Sequence, residues 1–467
     1  MKITFVKPNI GKMLDGVYID EGRMEPLMLG VLAGLTPPDV ECVMYDDRME
    51  AIPYEEATDL VAITVEIYTA RRAYEIAAEF RARGVRVILG GVHPTLFPEE
   101  SAAHADSIFL GDAELGWAAV VEDARRGQLK PRYEFPPGVA QIGGVQPRRD
   151  LFEGKGYLPM TLMQFSRGCR FVCDFCAISS YFKRRHYVRP TREVLAEIED
   201  QAEDGKAIFF VDDNFLSDHE AAKKFLRELV PLKIRWVSQA SIDMTRDLEL
   251  MALLKESGCL GNVIGFESIS PESIREMKKA PNTARGGWNR YEDAIAMLRD
   301  HHLLTWGSFT LGHDHDTLES IRETYEFAMH HRFTFAAFNI LMPYPNTPLY
   351  DRLSREGRHL YDGQWWLHPD YRFNSAAFVP KHMSPDELTE AVWDIRRRWN
   401  KMGSMLYRLW DFKTHLHCLT RMKVYKYYVP LYAKEAYKKH GMHFGILRDR
   451  VLPTRHGRKD LADRNAG

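Results

Sequence analysis

Three cysteines lie within eight residues, in the run Phe165-Ser-Arg-Gly-Cys169-Arg-Phe-Val-Cys173-Asp-Phe-Cys176. The CxxxCxxC spacing lets three thiolates wrap one face of an iron–sulfur cube. A four-iron cluster needs one ligand per iron, and this run supplies three. The fourth iron would stay open for a ligand that is not protein, the distinction that separates catalytic from structural zinc sites. Two other readings exist for such a run: a structural zinc completed by a fourth ligand nearby, or a disulfide. The run follows an apolar, strand-like stretch and carries an aromatic, Phe175, directly before its last cysteine.

Other residues of chemical interest are more scattered. The run His313-Asp-His315-Asp316 follows an apolar stretch and could serve acid/base or substrate-binding duty. The spacings His415-x-His417-Cys418 and His440-x-x-His443 allow a metal but read as helical surface. Cys42 lies within an apolar, strand-like stretch and Cys259 just after a helical one, and both read as small buried hydrophobes.

The chain has 467 residues, too many for one ordinary core, with 45% hydrophobic and 27% charged residues. No run approaches the ~18 apolar residues of a membrane span, and Met1–Pro8 reads as a strand instead of a signal peptide. Six cysteines, three of them clustered, argue against an oxidised secreted scaffold, so a reducing cytoplasm is expected. The net charge of −2 hides an asymmetry: residues 401–467 hold 15 Lys/Arg against 5 Asp/Glu, leaving −12 for residues 1–400. This basic, aromatic-rich tail could lie on an anionic membrane or meet a phosphorylated substrate, or simply form a solvated surface. Its final stretch, with Arg455, Arg458, Lys459 and Arg464, reads as disordered.

These residues are embedded in an alternating α/β pattern. Strands are predicted at 2–6, 41–45, 59–65, 85–89 and 107–110, with helices at 24–35 and 70–83 and one ending near 123, as a doubly wound parallel sheet requires. Gly90-Gly91-Val-His93-Pro-Thr and Gly111-Asp-Ala-Glu114 follow the fourth and fifth strands, where such sheets bind ligands. No G-x-G-x-x-G follows the first strand, which disfavours a nicotinamide or flavin dinucleotide. A Pro-, Gly- and Arg-rich linker spans 131–159. Six further strands are predicted at 162–165, 207–211, 234–239, 262–266, 304–310 and 336–342. Between them fall helices, clearest at 192–204, 219–229, 248–257, 288–301 and 317–330. Six strand–helix repeats make an open (β/α)6 barrel, and such barrels place their chemistry on the loops at strand carboxyl ends. The cysteine run falls on the first of those loops. The domain plan is therefore 1–130 as a Rossmann-like sheet domain, 131–159 as linker, 160–350 as partial barrel, and 351–467 as a mostly helical extension that covers the barrel's open side.

With these motifs together, the chain resembles the cobalamin-binding radical S-adenosylmethionine (SAM) enzymes over residues 1–350. CxxxCxΦC, with Φ here Phe175, is that family's cluster motif. The resemblance implies a [4Fe-4S] cluster on Cys169, Cys173 and Cys176, whose open iron chelates SAM and whose electron cleaves it to a 5′-deoxyadenosyl radical. It also implies SAM contacts at the strand ends. Asp212 and Asp213 stand where the family has a Gly-Gly-Glu-type segment and offer a carboxylate to the ammonium. Ser238 and Gln239 face the carboxylate, Glu267 the ribose or ammonium, and Gly312 and Leu341 the adenine. Cobalamin is implied for the first domain, with Thr64, Glu66, Tyr68, Gly90, Gly91, His93, Gly111 and Glu114 around it. No D-x-H-x-x-G occurs, so no histidine is placed to ligate cobalt from below, and His93 reads as a turn cap.

The first functional reading is an enzyme that uses SAM both as radical source and to recharge methylcobalamin, methylating an unactivated carbon. A second keeps the radical but ends in cyclisation, rearrangement or carbon–carbon joining, and a third is a cluster- or cobalamin-binding sensor without turnover. His313, His315 and Tyr68 are the catalytic candidates. A small-molecule or lipid substrate is expected, and Trp365, Trp366, Trp410, Tyr427 and Tyr428 would suit a polycyclic lipid or tetrapyrrole. A one-electron reductant such as flavodoxin or ferredoxin is implied, with no nucleic-acid partner and a monomeric state.

Overall fold

The computed structural model describes residues 1–13, 16–17, 23–139, 142–201, 206–283, 291–438 and 441–446. The predicted helix residues 202–204 and 288–290, His440 and the four tail arginines and lysines lie outside the described residues. The chain divides into two compact units. One comprises 1–157 with 364–373 and 441–467; the other comprises 158–363 with 374–440. Both are built on parallel sheets, in which most strands are followed by a helix that carries the chain back for the next strand, while residues 47–59 make one crossover without a helix.

The first unit holds strands β1 (Lys2–Lys7), β2 (Glu41–Asp46), β3 (Leu60–Thr64), β4 (Arg86–Gly90), β5 (Ser107–Leu110) and β6 (Arg132–Glu134). Their order is β2-β1-β3-β4-β5-β6, parallel throughout. Chain direction across the sheet reverses between β1 and β3, so a crevice opens at the carboxyl ends of those two strands. β3 and β5 are apolar at nearly every position, as strands covered on both faces must be. Helix Ala70–Ala82 covers one face, inserting Tyr74, Ile76 and Phe80.

The second unit contains β7 (Met160–Met163), β8 (Ala207–Phe210), β9 (Trp236–Ala240), β10 (Cys259–Glu267), β11 (Leu304–Leu311) and β12 (Phe335–Ile340). They pair in strict succession, β12-β11-β10-β9-β8-β7, every pair parallel. A sheet wound one strand at a time in one direction is an open barrel, and all its strand carboxyl ends face the same way. Aromatic side chains fill its core: Phe165 stacks on Phe225 at 4.2 Å, and Phe210 meets Trp236 edge-on at 5.5 Å. Helix Pro385–Trp399, started by a Ser384/Glu387 capping box, ties down the last strand. Its Arg396 donates to the Phe338 carbonyl at 2.6 Å and to Asn339 Oδ1 at 2.7 Å.

Candidate active site

The cysteine loop leaves β7 through Ser166–Gly168, which pairs antiparallel with His186–Val188. Gly168 has φ +90°, and a Cβ there would stand 2.3 Å from the Arg185 carbonyl oxygen, so only glycine fits this turn. Cys173 is buried, while Cys169 and Cys176 are half-buried. All six cysteines are free thiols. Burial pushes the Cys173 thiol up to about 12 and also raises Cys176. Iron binding must therefore displace protons from at least these two sulfurs. Among the described residues, no three His, Cys, Asp or Glu side chains converge as they would around one metal ion. A cube takes each thiolate on a different iron, so its three sulfurs need not converge on one point.

The segment after β8 grips this loop. Asp212, fully buried, accepts from the backbone N–H of Phe165 at 3.2 Å, the Ser166 hydroxyl at 2.5 Å and the Ser166 N–H. Asp213 accepts from Gly168 N–H at 2.7 Å, and Ser217 Oγ from Arg170 N–H at 3.1 Å. Asn214 reaches the sulfur of Cys169 with its Nδ2 at 3.6 Å and also donates to Ser241 at 2.8 Å. Its Oδ1 is buried with no hydrogen-bond partner in the protein. Asp212, Asp213 and Ser217 thus fix the loop's backbone, and Asn214 touches its first thiol.

Glu267 ends β10 with φ +63°, just past a register shift at Gly265. A left-handed non-glycine residue costs about 1–3 kcal/mol and persists where its surroundings demand it. Here the demand comes from Lys279, whose Nζ lies 2.6 Å from Glu267 Oε1, both side chains being nearly buried. Burial opposes the ammonium charge, but Glu267 and the nearby thiols of Cys173 and Cys176 hold Lys279 above its usual range. A Cβ on Gly265 would come within 2.3 Å of Glu267 Oε1 and 2.6 Å of Lys279 Nζ, so glycine makes room for this pair. The ammonium also lies 5.9 Å above the Phe175 ring. Three thiols, an amide donor to one sulfur and a buried cation suit an anionic thiolate-bound cluster.

At the remaining strand ends, Ser238 is buried and accepts from Asn262 Nδ2 at 2.9 Å. Gln239 donates to the Asp212 carbonyl at 3.2 Å. Gly312 (φ +105°) and His313 both donate backbone N–H groups to Asp316, and Leu341 N–H bonds the Leu311 carbonyl. His313 is buried, bonded to Thr310 Oγ1 at 2.9 Å, with its ring edge-on to Phe175 at 6.4 Å. His315 is half-exposed and paired with Glu276 at 3.4 Å. Sequence reasoning brought His313 to the cysteine loop but passed over Asn214 and Lys279. Asn214 was signalled by its place in the Asp-Asp-Asn run; Lys279 carried no local signal.

In the first unit, Lys7 at the end of β1 reaches Glu66 beyond β3 at 2.6 Å, across the crevice. Gly91 (φ +109°) lets the β4 loop come close to Val65, and Thr95 Oγ1 accepts from Gly111 N–H at 3.0 Å. Thr64, Gly90, Gly91 and Gly111 thus line adjacent strand ends, with Glu114 in the short helix after Gly111. Tyr68 sits among rings instead, 5.4 Å from Trp365, 5.8 Å from Phe373 and 5.9 Å from Phe444. His93 is buried, its Nε2 2.8 Å from Glu100 and 3.1 Å from Tyr74 Oη. Trp365 and Trp366 are fully buried, Trp366 donating to Glu100 at 3.1 Å.

Residues 163–328, from the end of β7 through the helix after β11, match the model of the radical SAM superfamily. A bacteriochlorophyllide d C-8(2)-methyltransferase from Chlorobaculum tepidum is 31% identical over 364 residues, 72% of this chain and 78% of that protein. The chain belongs to the radical SAM superfamily. A superfamily member is an enzyme that works through a [4Fe-4S] cluster and SAM, and the three-thiol loop lies inside the matched span. The C-12(1)-methyltransferase of the same organism is 28% identical over 410 residues, 85% of this chain and 88% of the relative. Among solved structures, the radical SAM methyltransferase TsrM from Kitasatospora setae, determined with cobalamin and a [4Fe-4S] cluster bound, shares the fold. Its TM-score is 0.59 at 19% identity, covering 76% of this chain and 78% of TsrM.

If the loop thiols hold the cluster, Cys173→Ala should leave the reconstituted protein without the cluster's charge-transfer absorption. SAM cleavage to 5′-deoxyadenosine should fall below detection. Cys42→Ala and Cys259→Ala should retain both. Iron retained at wild-type stoichiometry by Cys173→Ala would remove that thiol from the set.

Proposed function

We propose that this enzyme is a cobalamin-dependent C-methyltransferase acting on an unactivated carbon of an apolar polycyclic small molecule, with a tetrapyrrole the leading candidate. The observation that carries the reading is the extent of similarity: the bacteriochlorophyllide d methyltransferase relatives match 72% and 85% of this chain, more than either unit alone supplies. The glycine-bearing strand ends of the first unit support a corrin there, since close backbone approach is what a large flat ligand needs. The sheet order around its β1/β3 crevice supports the same placement.

Bound in these places, the cluster would supply one electron to SAM and the cobalamin would carry a methyl group. The chain's own residues do the positioning. Asp212 and Asp213 hold the loop that bears the thiols. Asn214, with its Oδ1 unpaired, offers an acceptor for a ligand N–H beside Cys169. Glu267 offers a carboxylate whose orientation Lys279 sets, and Ser238 with Gln239 supplies polar groups at the next strand end. Such chemistry needs a one-electron donor and a reducing, oxygen-poor compartment, for which the cytoplasm is the natural setting.

The test is anaerobic turnover of cluster-reconstituted protein with hydroxocobalamin, a low-potential reductant, SAM and bacteriochlorophyllide d. Sharp corrinoid bands retained after desalting, 5′-deoxyadenosine, and a product one methylene heavier are expected. 5′-Deoxyadenosine without corrinoid uptake, or a product that has lost hydrogen and gained a ring, would replace methyl transfer with radical cyclisation.

A further inference from the structure

The large apolar side chains that stand exposed on this protein are not evenly spread. Between residues 402 and 427 lie Met402 (68% exposed), Leu406, Tyr407, Trp410 (64%), Phe412 (64%), Leu419 (71%) and Tyr427. Met402 and Leu406 are one turn apart on helix Met402–Leu409 and share a side. Trp410 follows directly, its ring in edge contact with Phe412 at 5.5 Å. Leu419, Lys423 and Tyr427 recur every four residues along helix Leu419–Lys438. The two helices are bonded together by Tyr425 Oη, which donates to the Met405 carbonyl at 2.7 Å.

This hairpin is not a loose end. Arg408 is fully buried, its guanidinium 3.8 Å above the Trp399 ring and donating to the carbonyls of Thr334 at 2.8 Å and Trp399 at 3.1 Å. Asp411 receives Arg299 at 2.7 Å, and buried His415 bonds Thr334 at 2.8 Å. One side is thus anchored into the barrel by charged and polar groups, which holds the apolar side outward. Among the described residues nothing covers Met402, Trp410, Phe412 and Leu419, and a clustered patch of this kind marks an interaction surface.

Charge identifies the partner. From 401 to 434 the exposed charged residues are Lys401, Lys413, Lys423, Lys426 and Lys434, and the segment's one carboxylate, Asp411, is buried. Lys413 meets Asp300 from outside the segment at 2.6 Å. Two copies of the chain meeting here would set lysines against lysines, which opposes self-association. Aromatic and aliphatic side chains interleaved with lysines match the headgroup region of an anionic bilayer: rings seat at the interface, and lysine stems lie along apolar surface while their ammonium groups meet phosphate. We propose that this surface docks the enzyme peripherally on an anionic phospholipid membrane. Among the described residues no helix is long and apolar enough to cross one, so attachment would be by the surface alone.

The test is sedimentation of the full-length protein with vesicles of phosphatidylcholine containing a quarter phosphatidylglycerol, against phosphatidylcholine alone, at two salt concentrations. Binding is expected to the anionic vesicles only and to weaken with salt. The exposed double variant Trp410→Ser/Phe412→Ser should lose roughly tenfold or more in partitioning. Lys423→Gln/Lys426→Gln should lose roughly tenfold or more through charge alone. Melting temperatures within a degree or two of wild type show that either variant is folded, and the lysine pair tests the proposal even if the aromatic pair misfolds. No vesicle binding, or equal binding to neutral vesicles, overturns it. So does a concentration-dependent dimer that Trp410→Ser/Phe412→Ser abolishes, since a second copy would then be the occupant.

Discussion

Replacing Lys279 with methionine is expected to cost about 3 kcal/mol of stability, lowering the apparent Tm of the barrel unit by about 6 °C or more. Methionine keeps the volume of the stem but leaves Glu267, with a side chain only 8% exposed, as an uncompensated carboxylate beside the Gly265 backbone. Breaking a buried pair by removing one partner is far costlier than replacing both, because the desolvation of the survivor is no longer offset. The double variant Lys279→Met/Glu267→Gln should therefore recover most of the loss. Differential scanning fluorimetry on the four members of this cycle measures it. A Lys279→Met protein within a degree of wild type, or a double variant no better than the single, would show that the pair is solvated and sets nothing. The same lysine lies near Cys173 and Cys176, so its loss should also reduce iron retention on reconstitution.

The sheets were legible because their strands are short, unbroken apolar runs ended by polar or glycine-bearing turns. The five strands predicted for the first unit and the six for the second all stand, with ends shifted by up to three residues. β10 begins earlier than its predicted start at 262, since Gly261 has no Cβ to strike the Leu304 carbonyl oxygen 2.0 Å away and Cys259 already belongs to the sheet. β6 was missed within the predicted linker: Arg132 and Glu134 are exposed and only Tyr133 is buried, so an edge strand of three residues carries one apolar signal. The aromatic run of the later chain could not be sorted from sequence, since a buried and an exposed tryptophan are spelled alike. Trp365 and Trp366 are core, whereas Trp410 is exposed, and the difference lies in the buried Arg408 and Asp411 that pin its hairpin.

The site divides along the same line. Spacing made the three thiols legible, because they lie within eight residues of one loop. Lys279 follows a helix with no periodic reason to be buried, and it becomes part of the site only where the β10 bulge turns Glu267 toward it. Tyr68, expected beside a corrin, packs into a ring cluster with Trp365, Phe373 and Phe444, residues some 300 positions later that no local pattern connects to it.

Asp212 illustrates how a residue expected at a ligand can instead serve the loop that carries the chemistry. Asp212→Ala should cost about 3 kcal/mol and sharply reduce iron loading, because the buried N–H groups of Phe165 and Ser166 lose their acceptor three residues before Cys169. Asp212→Asn keeps one acceptor oxygen but turns an NH2 toward the second donor, so an intermediate loss is expected. Burial pushes this carboxyl up to about 7 against the pull of its donors, well above the roughly 3.9 of an unfolded chain. The folded state therefore holds the proton more tightly. The stability this contributes is complete below about pH 4 and is lost as pH rises through about 7. Asparagine cannot titrate, so wild type should lose stability relative to Asp212→Asn across that window and run parallel above it. Urea unfolding of both proteins at a series of pH values measures the difference. A flat difference would mean that Asp212 is ionised throughout, held by its three donors, and iron loading at the wild-type level in Asp212→Ala would show that the loop is shaped without it.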